Sequence, residues 1–235
     1  MLNKKVLRRS KGQAIVLLSG GLDSATTLYL AKKQNFKCLC LIFDYHQRHR
    51  REIESAKHIA QSADCKAQII KISLPWRGSA LLDKKINIPV VTRAPGHQGT
   101  SVIPLTYVPA RNIIFLSFAL SCAEAVAAEA IFIGAHSQDY SGYPDCRPEF
   151  YRAFDRIIAT GTKAGIQKKN IEIKTPLIHK TKAEIIRLGA RLGVPFEFTW
   201  SCYQGGRQPC QECDSCYFRA KGFKEAGIKD PLLSR

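Results

Sequence analysis

The chain has 235 residues, 45% of them apolar, with 36 Lys and Arg against 19 Asp and Glu for a formal charge of +17. That suffices for one large domain, or one domain with a small appendage, around a proper core, and no stretch approaches the roughly 20 apolar residues of a membrane span. The positive excess attracts polyanions and raises the prospect of RNA contact, but it is dispersed over 4–11, 48–51 and 163–174 with no stripe interleaved with aromatics.

The first residues, MLNKKVLRRSKGQAIVLL, open like a secretory signal, yet the apolar run Ala14–Leu18 is five residues long and ends in Ser-Gly-Gly. That is too short for a signal core, so a cytoplasmic protein is expected. Gln13–Leu18 has the length and branching of a buried strand. It runs into SGGLDS, Ser19–Ser24, and SATTLYLAKKQ then predicts a helix over Ser24–Gln34 with Asp23 or Ser24 as N-cap. Gly20 and Gly21 therefore stand where a buried strand turns into a helix. Free amides and the helix dipole favour an anion there, and the missing Cβ atoms let a phosphate approach. An ordinary tight turn with an N-cap fits the same residues.

A second strand follows at Lys37–Phe43, a helix through Arg50–Ala63 and a third strand at Ala67–Ile72. Ser73–Ala110, with Pro75, Pro89, Pro95, Pro104 and Pro109, reads as an extended excursion. Asn112–Ala128 is a nearly all-apolar helix and is expected to be buried. Ala130–Gly134 is a fourth strand, Arg147–Thr162 a helix, Ile171–Lys174 a short strand and Thr181–Leu192 a capped helix. Buried strands alternating with helices imply an α/β fold: a Rossmann-like parallel sheet with helices on both faces. Ligands bind such sheets beyond the carboxyl ends of the strands, where Ser19–Asp23, Asp44–His49 and Ala135–Cys146 all lie.

Nine cysteines in a cytoplasmic chain point to metal or free thiols rather than disulfides. Cys38, Cys40, Cys65, Cys122 and Cys146 are scattered, whereas SCYQGGRQPCQECDSC sets Cys202, Cys210, Cys213 and Cys216 as C-x7-C-x2-C-x2-C. Four thiolates in that span can close a tetrahedral zinc site with no open position. An iron–sulfur cluster or a redox pair uses the same residue type, but a redox C-x2-C is expected after the first strand rather than near the end.

The glycine corner carries neither the Walker pattern nor G-x-G-x-x-G. SGGLDS instead resembles the pyrophosphate loop of the PP-loop ATP pyrophosphatase superfamily. YVPARN (Tyr107–Asn112), DYSGYPDCRPEF (Asp139–Phe150), PLIHKTKAEIIRLG (Pro176–Gly189) and the cysteine segment follow in this order. Together they resemble the 7-cyano-7-deazaguanine synthase family of queuosine-precursor biosynthesis, over about Gln13 to Pro231. The chain departs from that family at Ala110 and His46, where the family more often has glycine, and at Ala135-His136, where it often has valine-asparagine.

The resemblance implies an adenine nucleotide alpha hydrolase-like ATP-binding domain over 1–195 and a small zinc-binding helical region over 196–235. It implies a C–N ligase that turns 7-carboxy-7-deazaguanine, ammonia and ATP into 7-cyano-7-deazaguanine. On that picture Leu18, Ser19, Gly20, Gly21, Leu22, Asp23 and Ser24 bind ATP with Mg²⁺, and Ser19, Asp23, Ser24 and Arg111 serve catalysis. Asp23 suits the metal, though capping is its plain alternative. Arg111 offers a fork to a carboxylate or phosphate, unless it is a surface arginine.

Asp139, Tyr140, Tyr143, Asp145, Arg147 and Glu149 are expected around the ring, the tyrosines stacking and the carboxylates meeting its N–H donors. Turn chemistry and a helix cap by Asp145 would explain that loop otherwise. Lys180 and Lys182 suit phosphate charge or a solvated helix start. The expected partners are small molecules and a second copy in a homodimer, with no membrane and no stable nucleic acid. The rival readings are a tRNA-modifying PP-loop enzyme and a non-catalytic zinc module that binds nucleic acid.

Overall fold

The computed structural model describes residues 12–76, 78–89, 103–136 and 142–233. Five parallel strands form one sheet: β1 (Gln13–Leu17), β2 (Lys37–Asp44), β3 (Lys66–Lys71), β4 (Ala130–Phe132) and β5 (Glu172–Lys174), in the order β3-β2-β1-β4-β5. The helices are α1 (Leu22–Lys33), α2 (Arg51–Ser62), α3 (Arg111–Ala125), α4 (Pro148–Gly161), α5 (Lys163–Ile166), α6 (Lys182–Leu192) and α7 (Asp214–Ala226). The order reverses at β1, so the loops after β1 and β4 part there and open a crevice at the strand ends.

Strand alternation sends successive side chains to opposite faces. Ala14, Val16, Cys40, Ile42 and Phe132 meet α1, α2, α6 and Phe223 of α7 on one side. Ile15, Leu17, Leu41 and Ile131 meet α3, α4 and α5 on the other. Both faces are covered, as the alternating pattern predicts. Among the described residues no helix is long and apolar enough to cross a membrane.

Two expectations need correction. β3 is not buried: its six residues are exposed or half-exposed, because it is an edge strand paired only with β2. Lysines at both its ends suit such an edge. The apolar helix α3 is likewise buried on one face only, through Leu116, Ala119, Leu120 and Ala123, while Ile113 and Phe118 are exposed. Its inner face lies on the sheet, and no described element covers the outer one. Elsewhere the boundaries shift slightly. α6 begins with a capping box between Thr181 and Glu184 and ends at Gly193 in the left-handed region.

Part of the long excursion packs against the C-terminal region, while Val108 joins the core under α3. Ala80 and Ile88 form one apolar cluster with Trp200, Cys202, Cys213 and Cys216. The cysteine segment is thereby fixed beside the strand ends that carry the glycine corner.

Candidate active site and metal centre

The corner between β1 and α1 is built by its own residues. Ser24 Oγ accepts from Ser19 N at 3.2 Å and from Ser19 Oγ at 3.0 Å, and donates to Gly21 O at 3.0 Å. Gly20 has φ +87°, and a Cβ there would fall 2.2 Å from the carbonyl oxygen of Glu52. Only glycine fits on both counts. Its carbonyl accepts from Trp200 N at 2.9 Å, tying the corner to the C-terminal region. Gly21 is the N-cap of α1, with no side-chain cap. Leu18 and Leu22 are buried in the core beneath, so any contact of Leu22 with a ligand is through its backbone.

Asp23 is therefore not a cap. It is the second residue of α1, and Lys182 Nζ donates to its two carboxylate oxygens at 2.9 and 2.8 Å. His136 Nε2 lies 2.8 Å from Lys182 Nζ and 3.7 Å from the Asp23 carboxylate. Burial opposes ionisation of Asp23, but Lys182 and His136 outweigh it and hold the carboxyl below the usual range. Gly222 of α7 makes room for this lysine, since a Cβ there would fall 2.4 Å from Lys182 Cγ.

In front of the corner is a cavity of about 270 Å³ lined by Ser19, Asp23, Glu52, Arg111, Tyr143 and Trp200 among others. Phe43 and Phe115 stack in its wall, with ring centroids 3.9 Å apart and planes within 9°. Arg111 opens α3 and donates from Nη1 to Tyr45 Oη at 3.3 Å, so it is a wall residue rather than a solvated surface group. Burial pushes the Glu52 carboxyl up to about 7 against the pull of Arg111.

The tyrosine–carboxylate loop divides. Tyr143 lines the cavity and its hydroxyl lies 2.6 Å from Thr106 Oγ1. Asp145 sits behind it, buried, accepting from the Asn112 amide at 3.0 Å. It thus caps the start of α3, not the following α4, whose N-cap is Arg147. Arg147 and Glu149 are exposed and outside the lining, and Glu149 pairs with Arg152 at 3.0 Å. Asp139 and Tyr140 lie outside the described residues.

The sulfur atoms of Cys202, Cys210, Cys213 and Cys216 all lie within 4.8 Å of one another, and Cys210 and Cys216 are 3.9 Å apart. Four ligands about 2.3 Å from a tetrahedral ion would stand at nearly that spacing. Backbone amides of Gln204 and Cys210 donate to Cys202 Sγ at 3.4 and 3.3 Å, and Cys213 N donates to Cys210 Sγ at 3.4 Å. Such donors favour thiolate over thiol. The group can hold a metal ion, and it leaves no protein position open.

The model of the family described as queuosine biosynthesis protein QueC matches residues 13–227. The chain belongs to the QueC family. It is 53% identical over 221 residues to 7-cyano-7-deazaguanine synthase 2 of Desulfitobacterium hafniense (strain Y51), covering 94% of this chain and 92% of that protein. It is 50% identical over 222 residues to 7-cyano-7-deazaguanine synthase of Trichormus variabilis, covering 94% and 97%. The structure of NMN synthetase from Francisella tularensis gives a TM-score of 0.48 at 16% identity, covering 94% of this chain and 76% of that one.

In this QueC-family chain, sequence reasoning missed the pairing of Asp23 with Lys182 and the place of Glu52 and Trp200 in the cavity. The only local signal for Glu52 was its position just after a strand-end loop. Two departures from the family pattern gain a physical meaning: Ala110 and His46 have φ 54° and 60°, the left-handed region that glycine occupies without strain.

Proposed function

We propose that this chain converts 7-carboxy-7-deazaguanine, ammonia and ATP into 7-cyano-7-deazaguanine, as a ligase with an amide intermediate. The observation that carries this reading is the SGGLDS corner opening into one aromatic-walled cavity that also presents Arg111. The name of its relatives supports it.

A carboxylate becomes a nitrile by losing two oxygens, and neither leaves unaided at neutral pH. One carboxylate oxygen attacks a phosphorus of ATP, a P–O bond of the triphosphate breaks, and the oxygen departs on that phosphorus when ammonia adds and gives up a proton, leaving the amide. The amide oxygen attacks a second ATP in the same way, and its C–O bond breaks with loss of the two nitrogen protons to leave the C–N triple bond. Ser19, Gly20, Gly21 and Ser24 cradle the phosphates, with Lys182 close enough to offset their charge. Arg111 orients the substrate carboxylate by bidentate hydrogen bonding. Tyr143, with Asp139, Tyr140, Asp145, Arg147 and Glu149, belongs to the proposed substrate loop, Asp145 acting through the start of α3.

Mg²⁺ would sit among phosphate oxygens, Ser19, Ser24 and Asp23, and supplies charge neutralisation. Both oxygens of Asp23 are engaged by Lys182, so ATP itself would provide most of its ligands. Zinc on the four cysteines is structural. We assign 1–195 to the ATP-binding domain and 196–235 to the zinc-binding region packed on it, in a cytoplasmic homodimer with no stable nucleic-acid partner.

The test is to give purified protein the acid, an ammonium salt and Mg-ATP and to follow products by mass spectrometry. Amide should appear first and nitrile second, and supplied amide should be converted only with ATP. Accumulation of amide alone would make the chain an amide-forming ligase. Adenylylation of tRNA instead would favour a tRNA-modifying enzyme.

A further inference from the structure

The cavity holds a carboxylate for which the scheme above has no use. Glu52, the second residue of α2, lines it beside Arg111, Tyr45 and Trp200. Its carboxylate makes no hydrogen bond and no ion pair among the described residues. The neighbouring carboxylates are committed: Asp23 to Lys182, Asp145 to the Asn112 amide, Asp44 to Arg50 at 3.5 Å. The backbone of Glu52 is held close against Gly20, so the side chain leaves from a fixed point next to the phosphate corner.

Glu52 is half-buried at the cavity wall, and a ligand that brings donors would shield its carboxylate from water and satisfy it at once. N–H donors that reach the Glu52 carboxyl favour its ionised form, which only accepts, and its complement is a pair of adjacent N–H donors. A guanine-like ring offers that pair in N1–H and the 2-amino group. Adenine offers one donor beside a ring-nitrogen lone pair, so one carboxylate oxygen would face a repelling acceptor. The flat walls, with Phe43 stacked on Phe115 and with Tyr45, Tyr143 and Trp200, suit a planar ring. Arg111 lines the same cavity and can meet the substrate carboxylate.

We propose that Glu52 reads the N1–H and 2-amino edge of the 7-deazaguanine ring, admitting it in preference to the adenine of ATP. This rests on the reaction proposed above, whose substrate it serves to select. Its role is specificity, exerted by direct contact with the substrate.

The test compares wild type and Glu52→Gln on 7-carboxy-7-deazaguanine and on the analogue lacking the 2-amino group. Wild type should lose roughly 10- to 100-fold in kcat/KM on the analogue, the worth of a hydrogen bond to a charged group. Glu52→Gln should lose a similar factor on the natural substrate, discriminate only a few-fold between the two, and keep its KM for ATP. Both stages, acid to amide and amide to nitrile, should be impaired alike, because both act on the same ring.

Equal discrimination by wild type and variant would overturn the assignment. So would a variant slowed only in the ammonia-consuming stage, which would make Glu52 a proton acceptor for ammonium. A variant with a raised KM for ATP and a lowered melting temperature would show a structural role and overturn it as well. A wild type that forms neither amide nor nitrile would overturn the proposed reaction, and this inference with it, at a step that does not involve the variant.

Discussion

Lys182 Nζ bridges the two carboxylate oxygens of Asp23 at 2.9 and 2.8 Å, across 159 residues of sequence. The pair joins the start of α1 to the start of α6, and both side chains are largely buried. It makes the first turn of α1 part of a tertiary contact and holds a cation beside the glycine corner.

That pair sets a dependence on pH. The folded Asp23 carboxyl titrates below its ordinary 3.8, so the unfolded chain binds the proton first as pH falls. The contribution is therefore complete above about pH 4 and is lost as pH drops through the folded value. Lys182→Met, which keeps the stem against Gly222, should cost about 1–3 kcal/mol at pH 7. In chemical denaturation its deficit against wild type should shrink below about pH 4. An undiminished deficit there would mean that packing, not charge, is what the lysine supplies.

Ser24→Ala removes the hydroxyl that accepts two bonds from Ser19 and donates one to Gly21. ATP turnover should fall about 10²–10³-fold, the usual loss for a preorganised donor set at a reacting phosphate. Ser24 is buried, so circular dichroism must show the variant folded. Unchanged turnover in Ser24→Ala and Asp23→Ala would reduce the corner to a turn.

Metal analysis should find one zinc per chain, with no iron or sulfide. Cys213→Ser should lower the melting temperature far more than it changes the KM for ATP, because a closed thiolate site contributes folding energy. The apolar cluster of Trp200 with Cys202, Cys213 and Cys216 would loosen with the metal. Fully active protein without metal is the outcome against this.

Ala110 and His46 occupy left-handed backbone at φ 54° and 60°. Ala110→Gly and His46→Gly should each raise stability by about 1 kcal/mol in equilibrium unfolding, since the strain of a Cβ there is removed. A loss of stability in both would show that unfolded-chain entropy outweighs the strain.

Tyr143 and Asp145 should separate. Tyr143→Phe, in the cavity wall, should change the KM for the deazaguanine substrate more than that for ATP. Asp145→Ala removes the acceptor of the Asn112 amide and should lower stability by about 1 kcal/mol. Steady-state kinetics beside thermal melts distinguish the two, and equal melting loss in both variants would contradict the division.

What the sequence determined by itself is local. The strand-to-helix corner at Ser19–Ser24, the Thr181 capping box and the four-cysteine set follow from spacing within a few turns of chain, where covalent geometry fixes which atoms meet. The alternation of strands and helices set the α/β class for the same reason. The tertiary structure alone decided that Asp23 pairs with Lys182 rather than capping α1, and that Asp145 serves α3 rather than α4. It also decided that Glu52 has no hydrogen-bond or ion-pair partner among the described residues, that β3 is an exposed edge, and that α3 shows one apolar face to its surroundings. Each of these depends on how distant segments pack and on which strand ends the sheet. Sequence spacing carries no information about the direction from which a partner arrives.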